Sequence, residues 1–293
     1  MPTSTVATAA AVPRPARWTG RRRGPGAGHL LAGVTWLIGA VYALPIGWMF
    51  LTSFKPEVLA ATRPPTLIFT PTLDNYQAVV STPQFSIAFW NSVLVTGSAT
   101  FCAVVLALPI AYSMTIRPIE KANDLLFFFI STRMLPIAGV IVPIYLVVQY
   151  LGGLDHLLTL IVLYTTMNIP LAVWLLRAYL RDVPAEVIEA ARIDGASSLQ
   201  TMLRIVLPMM RPSLAATATL CAVFAWSEFF IAVSLTTYNA ATLPVYLTGF
   251  ISDRGLFWAK LSAVAVLSAL PVLLLGWAAQ RPLMRGFSMS TYK

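Results

Sequence analysis

The chain has 293 residues, 58% of them hydrophobic and only 11% charged, whereas soluble domains carry about 25% charged residues. That balance, with a mean hydropathy of +0.76, excludes an ordinary soluble domain and suits one membrane domain at this length. The formal net charge of +9 lies between apolar runs, so the basic residues read as topology signals rather than a nucleic-acid surface.

In chain order, residues 1–29 are rich in Ala, Pro, Gly and Arg without apolar periodicity, and are expected to form a disordered basic cytoplasmic tail. Arg21, Arg22 and Arg23 precede an apolar run, and Val41-Tyr42-Ala43 loosely resembles a signal-peptidase site. The run continues to Ser53, however, long enough for an uncleaved spanning helix. Six runs meet the length of about 20 apolar residues that a bilayer requires: 30–53, 87–113, 124–150, 154–176, 212–235 and 259–280. Several contain proline (Pro45, Pro109, Pro136, Pro143, Pro170, Pro271), which membrane helices tolerate because neighbours satisfy the freed carbonyls. The short alternating segments of a β-barrel are not seen, so the fold class is all-α and polytopic, with about six spans.

Orientation follows from Lys and Arg in the loops. With the N-terminus inside, fifteen basic residues fall on the cytoplasmic side. Four (Lys55, Arg63, Arg254 and Lys260) fall outside, so both termini are expected in the cytoplasm. The membrane domain then covers 30–286, with an outer loop at 54–86 and a shorter outer segment near 236–258. A cytoplasmic loop occupies 177–211, and a short cytoplasmic tail 287–293.

The loop 177–211 carries the most specific pattern. Pro184 suits a first helical position, and Glu186 and Glu189 favour the positive end of a helix dipole. Gly195 can end that helix in a left-handed conformation, and Ser197 or Ser198 can cap a second one. Leu199, Met202, Leu203 and Val206 then fall at i, i+3, i+4 and i+7 as one apolar stripe. The small residues Ala190, Ala191, Gly195 and Ala196 would let a partner surface approach closely, while Glu189, Arg192 and Asp194 keep the projection compatible with water. The plainer reading is an amphipathic helix lying on lipid.

Two charged residues lie inside apolar runs, where ionisable groups are expensive and usually functional. Arg133 sits roughly 12 Å into the third run, and Glu228 roughly 24 Å into the fifth, counted at 1.5 Å per residue. At those different depths no direct ion pair is expected. Arg133 could snorkel or bond carbonyls freed near Pro136. Asn168 in the fourth run has an amide that both donates and accepts, and Trp226, Tyr145 and Tyr164 offer aromatic faces for stacking, although membrane aromatics more often pack. Glu228, Asn168, Trp226, Tyr145 and Arg133 are therefore the candidate cavity residues.

Metal and catalytic sites find no support. His29 and His156 stand apart without Cys or acidic company, and Cys102 and Cys221 lie in apolar runs as small buried side chains. There is no phosphate-binding G-x-x-x-x-G-K-[ST] loop and no clustered nucleophile and base.

The string Glu189-Ala190-Ala191, three residues, Gly195, nine residues, Ile205, one residue, Leu207-Pro208 resembles the EAA motif of ABC importer permeases, with every position filled at the expected spacing. Glu-Ala-Ala-Arg-Ile-Asp-Gly-Ala-Ser, Asp74-Asn75-Tyr76, Asn91-Ser92 and Ala225-Trp226-Ser227-Glu228-Phe229 are similar to the carbohydrate-uptake branch and its smaller, maltose-type permease, over roughly residues 30–286. The resemblance implies a transport subunit without its own ATPase site. It also implies a different second permease subunit, two ATPase subunits that bind ATP and Mg²⁺, and an extracytoplasmic solute-binding protein. Glu189, Ala190, Ala191, Asp194, Gly195, Ala196, Ile205, Leu207 and Pro208 would then be the ATPase-coupling residues, and Glu228, Asn168, Trp226, Tyr145 and Arg133 the candidate translocation cavity, where a sugar could bond the amide and stack on the aromatic rings. The ending Arg-Gly-Phe-Ser-Met-Ser-Thr-Tyr-Lys departs from the Gly-Ala-Val-Lys-like tail of such permeases. A permease for phosphorylated glycerol or a peptide, and a proton-coupled secondary transporter, are the competing expectations; the latter calls for midplane ionisable pairs and inverted repeats.

Overall fold

Alanines at every fourth position set the packing of the longest helix. Ala99, Ala103, Ala107 and Ala111 are fully buried along one face of α4 (Pro83–Ile116), and this face lies against α7 (Leu157–Leu180). Small side chains at i, i+4 bring backbones close, the usual device for joining membrane helices where the hydrophobic effect is weak. The approach is near enough for the Thr165 hydroxyl to reach the Ala99 carbonyl at 3.5 Å.

The computed structural model describes residues 25–116, 119–252 and 255–289, so residues 1–24 of the basic tail, residues 290–293, Arg117 and Arg254 lie outside the description, whereas residues 25–29, expected as disordered tail, are helical at the start of α1 (Pro25–Ser53). The chain divides into two units, Met1–Gly47 and Trp48–Lys293. The described part of the first is the opening stretch of one apolar helix, α1 (Pro25–Ser53), with Trp36 and Tyr42 exposed on it.

In the second unit, α1 ends at a buried corner. Short α2 (Glu57–Ala60) and α3 (Asp74–Val80) follow, and Asn75 on α3 donates its amide to the carbonyls of Ser53 and Lys55 at 3.0 and 2.7 Å. Lys55 is only 1% exposed, with its ammonium 4.3 Å from the Trp48 ring centroid and 5.4 Å from that of Phe69, in cation–π geometry. The Glu57 carboxylate accepts from the backbone N–H of Ala259 and Lys260, placing negative charge at the N-terminus of α14 (Trp258–Met289).

Four segments are each long and apolar enough to cross a bilayer: Leu31–Ser53, Pro83–Ile116, Leu157–Leu180 and Trp258–Gln280. The third expected span is corrected by the structure. It is two helices, α5 (Ala122–Met134) and α6 (Ile137–Tyr150), bent 88° apart. Leu135 and Pro136 take extended backbone, because Pro136 offers no N–H to the ladder and biases the residue before it away from helix. The fifth span is also interrupted: α11 (Arg211–Trp226) ends at Ser227, and α12 (Phe230–Leu235) begins two residues after Glu228.

Between α7 and α11 lie α8 (Ala185–Ile193), α9 (Ser198–Gln200), a π-helical turn at Thr201–Val206 and α10 (Leu207–Met209). The stretch Ser198–Met209 meets α11 at 82°. Pro184 stands just before α8 rather than as its first helical residue. After α12 come α13 (Leu243–Thr248) and the two-residue strands β1 (Ile251–Ser252) and β2 (Gly255–Leu256), paired antiparallel.

At the end of the bundle opposite α8, Asp155 ties two loops together. Its own backbone is left-handed, with φ 58°. Its carboxylate accepts from the backbone N–H of Thr237, Tyr238, Asn239 and Ala240 and from the Asn239 amide, at 2.9 to 3.4 Å. Burial alone would raise this carboxyl, but the backbone donors from Thr237, Ala240 and Asn239 outweigh it and hold the group well below the usual carboxylate range. A depressed carboxyl contributes stability that is complete above the unfolded value near 3.9 and lost as pH falls through the folded one. Asp155→Asn should therefore lower stability at pH 7 by about 1–2 kcal/mol, partial solvent exposure keeping the figure modest. In thermal unfolding, the gap between wild type and variant should stay constant from pH 7 to about 4 and shrink below that.

Candidate functional site

The segment 184–210 forms the first candidate site. Ile188 and Ala191 of α8 are buried while Glu189 and Ala190 are exposed, so α8 has an inner and an outer face. Ile188 joins a core cluster with Leu176 and Leu180 of α7, Ala107 and Ala111 of α4, Met202 and Val206 of the π turn, and Cys221 of α11. Burying side chains such as Ile188 and Val206 contributes about 1.5–3 kcal/mol each.

The helix ends as the sequence suggests. Asp194 is its C-cap, Gly195 takes φ +78°, and the Ala196 N–H closes onto the Ala191 carbonyl at 3.0 Å. Ser197 then makes a complete capping box: its hydroxyl accepts from the Gln200 N–H, and the Gln200 side chain accepts from the Ser197 N–H.

The single apolar stripe expected of the next helix is corrected. Met202 and Val206 are buried, but Leu199 and Leu203 are 61% and 45% exposed. The turn there is π-helical, and the wider repeat rotates the two rows apart. Ile205, Leu207 and Ala196 are half-buried, whereas Pro208, Asp194 and Gly195 are exposed. Leu199, Leu203 and Ile193, the last 86% exposed, thus give this end of the bundle an uncovered apolar surface beside Ala190 and Gly195. A groove of about 390 Å³ runs between α8 and the end of α4, with Arg192 reaching the Ile116 carbonyl at 3.5 Å.

The second candidate site lies where the two broken spans meet α7. Arg133, on the last turn of α5, donates to the Met167 carbonyl of α7 at 2.7 Å and lies over the Phe224 ring of α11 at 4.5 Å. The carbonyl it takes is on the facing helix, in the stretch leading to Pro170, not beside Pro136 as the sequence suggests. Glu228 sits in the α11–α12 break, where its Oε1 accepts from the Ile231 N–H at 3.1 Å and its backbone carbonyl accepts from the Tyr164 hydroxyl at 3.2 Å. Despite their different depths in the sequence, Arg133 and Glu228 line one small cavity of about 40 Å³ with Asn168 and Tyr164.

Two of the expected cavity residues do not line this cavity. Trp226 is buried and donates its indole N–H to the Ser268 carbonyl of α14 at 3.0 Å, beside Phe89 of α4. Tyr145, on α6, is 37% exposed and lines neither the Arg133 cavity nor its neighbour. Met167 and Phe224 carry no sequence signal, since apolar residues in a span look alike whether they face lipid, core or cavity. Among the described residues, no group of three or more His, Cys, Asp or Glu could hold a metal ion.

Residues 103–283 match the family of the binding-protein-dependent transport system inner membrane component. A probable ABC transporter permease protein of Sinorhizobium fredii is 32% identical over 90% of this chain and 95% of its own. The permease protein of the trehalose/maltose transport system of Thermococcus litoralis is 29% identical over 88% of this chain and 94% of its own. Among solved structures, a bacterial ABC transporter involved in alginate import superposes with a TM-score of 0.72 at 23% identity, over 87% of this chain and 95% of that one.

The capping box yields a local test. Ser197→Ala should weaken the start of the second helix by about 1 kcal/mol. Hydrogen exchange should show faster exchange of the amides from Leu199 to Val206, with the global thermal midpoint little changed.

Proposed function

The chain belongs to the binding-protein-dependent transport system inner membrane components, a family of multi-pass ABC importer permeases without an ATPase site of their own, and from that membership we propose that it forms half of the translocation pathway for a carbohydrate or related polyol. Its companions are a second, different permease subunit, two ATPase subunits that bind ATP and Mg²⁺, and an extracytoplasmic solute-binding protein. The α8 end faces the cytoplasm, as the basic residues of the loops favour.

One observation carries the coupling role. The segment is rooted on one side and open on the other: Ile188 and Ala191 join the bundle, while Ala190, Gly195, Ile193, Leu199 and Leu203 face away from it. An interfacial helix lying on lipid would need a continuous apolar underside, whereas here the apolar face of α8 is used within the chain. ATP-driven closure of the ATPase dimer pushes α8, and the push enters α7 and α4 through Ile188 and α11 through Val206. The pathway then alternates between inward-facing and outward-facing states, each biased by ligands at distant sites.

The carbohydrate class is supported by the trehalose/maltose relative and by the Glu189–Ser197 string.

Gly195 allows coupling to be tested apart from folding. A Cβ there meets nothing within 4 Å in the chain, and asparagine tolerates the left-handed backbone. Gly195→Asn should leave the isolated chain within about 1 kcal/mol of wild-type stability. Co-purification of the ATPase, and its activity in the assembled complex, should fall at least about tenfold as the added side chain holds the partner off. Unchanged assembly and activity would remove Gly195 from the coupling surface.

A further inference from the structure

We propose that this chain touches the transported solute directly, through the polar nook between Arg133, Tyr164, Asn168 and Glu228, which takes one hydroxyl group while the solute's ring lies in the adjoining chamber; this rests on the carbohydrate reading above. The nook of about 40 Å³ and a chamber of about 400 Å³ share Arg133 and Met167 as walls. The nook is about a tenth of the chamber's volume, the scale of a hydroxyl-sized group beside that of a ring. The chamber falls within the roughly 300–1,000 Å³ of small-molecule sites. Its walls are mostly apolar, with Ile144, Leu163 and Pro170 among them and Thr132 and Thr166 as neutral polar groups, a surface suited to the C–H face of a sugar ring.

Unmet hydrogen-bonding capacity points to an occupant. Asn168 is 1% exposed, and its side-chain oxygen has no hydrogen-bond partner. Buried polar atoms are normally satisfied, and an orphan carries a desolvation penalty until a donor arrives. The Glu228 carboxylate gives Oε1 to the Ile231 N–H, which leaves Oε2 as a second acceptor. Arg133 donates one Nη1 bond to Met167, so other guanidinium N–H groups remain as donors.

An occupant must therefore donate to Asn168 or Glu228 and accept from Arg133. A carboxylate answers Arg133 but faces the acceptors Asn168 and Glu228, and an ammonium group answers Glu228 but faces Arg133, so each leaves one side of the nook unmet. A hydroxyl group both donates and accepts and is neutral, as the nook requires.

The test uses the complete complex of both permeases, ATPase and binding protein in liposomes. Maltose, trehalose, cellobiose and N,N′-diacetylchitobiose are first screened for thermal stabilisation of the binding protein. Uptake of the sugar that stabilises it most is then compared with uptake of its monodeoxy analogues. In the wild type, at least one analogue should be taken up about tenfold less well than its affinity for the binding protein accounts for. Asn168→Leu should shrink that factor to within about twofold, because the binding protein's own preference cancels between the two complexes. Asn168→Ala, which removes the acceptor without adding bulk, gives the same readout should the leucine variant fail to assemble.

A merely structural role for Asn168 would lower uptake of the sugar and its analogues alike and leave the ratio unmoved, which overturns the proposal. So does a wild type that discriminates no analogue beyond its binding protein, the result expected if the nook holds only a resident water. If no sugar stabilises the binding protein and none is taken up, the carbohydrate reading fails and the hydroxyl subsite fails with it.

Discussion

The alanine face of α4 against α7 is the constraint on which the rest of the second unit depends. Ala99, Ala103, Ala107 and Ala111 are fully buried, and a larger residue at any of them would hold α7 away. Because α7 sits that close, Tyr164, Asn168 and Met167 on its middle meet both broken spans. Its last turns, Leu176 and Leu180, meet Ile188 of α8. One helix thus serves the nook at its middle and the exposed segment at its end.

The two breaks have a common logic. A helix interrupted inside an apolar layer leaves backbone groups that lipid cannot satisfy. At the first break, Arg133 leaves α5 and takes a carbonyl of the facing helix. At the second, Glu228 caps α12 through the Ile231 N–H, and its own carbonyl is taken by Tyr164. Charged side chains in a bilayer are expensive, but here each offsets part of its penalty with a hydrogen bond to the backbone. The breaks lie near each other, so the two charges end on one cavity although the sequence puts them at different depths.

What was legible in the sequence follows from the same physics. Span existence depends on long apolar runs, and all six runs recur as helices or broken helices. The turn at Gly195 and the cap at Ser197 were legible because left-handed backbone and capping oxygens each demand particular residues. The 88° break at Leu135–Pro136 was not legible, because proline in a membrane helix is compatible with a mild kink or a full corner, and the packing of α6 against α12 decides between them. The place of Trp226 was equally hidden. An indole in a span can face a cavity, lipid or another helix, and only the Ser268 carbonyl, 42 residues away, settles which. Asp155 carries no signal in the sequence, because all its donors come from a segment more than 80 residues later.

The placement of Pro170 bears on how the two ends of α7 communicate. Asn168 and Leu180 are twelve residues apart, about 18 Å along a helix. A straight, well-bonded helix over that length moves as a rod, so a push at Leu180 would displace the nook as a whole. Pro170 lies between them, two residues from Asn168, and removes one rung of the ladder there. The rod therefore has a weak joint just beside the nook, and the Arg133 bond to Met167 lies across that joint from Leu180. On the coupling proposed above, a push through Ile188 would meet that joint before the nook, and the Arg133 bond to Met167 would resist bending there.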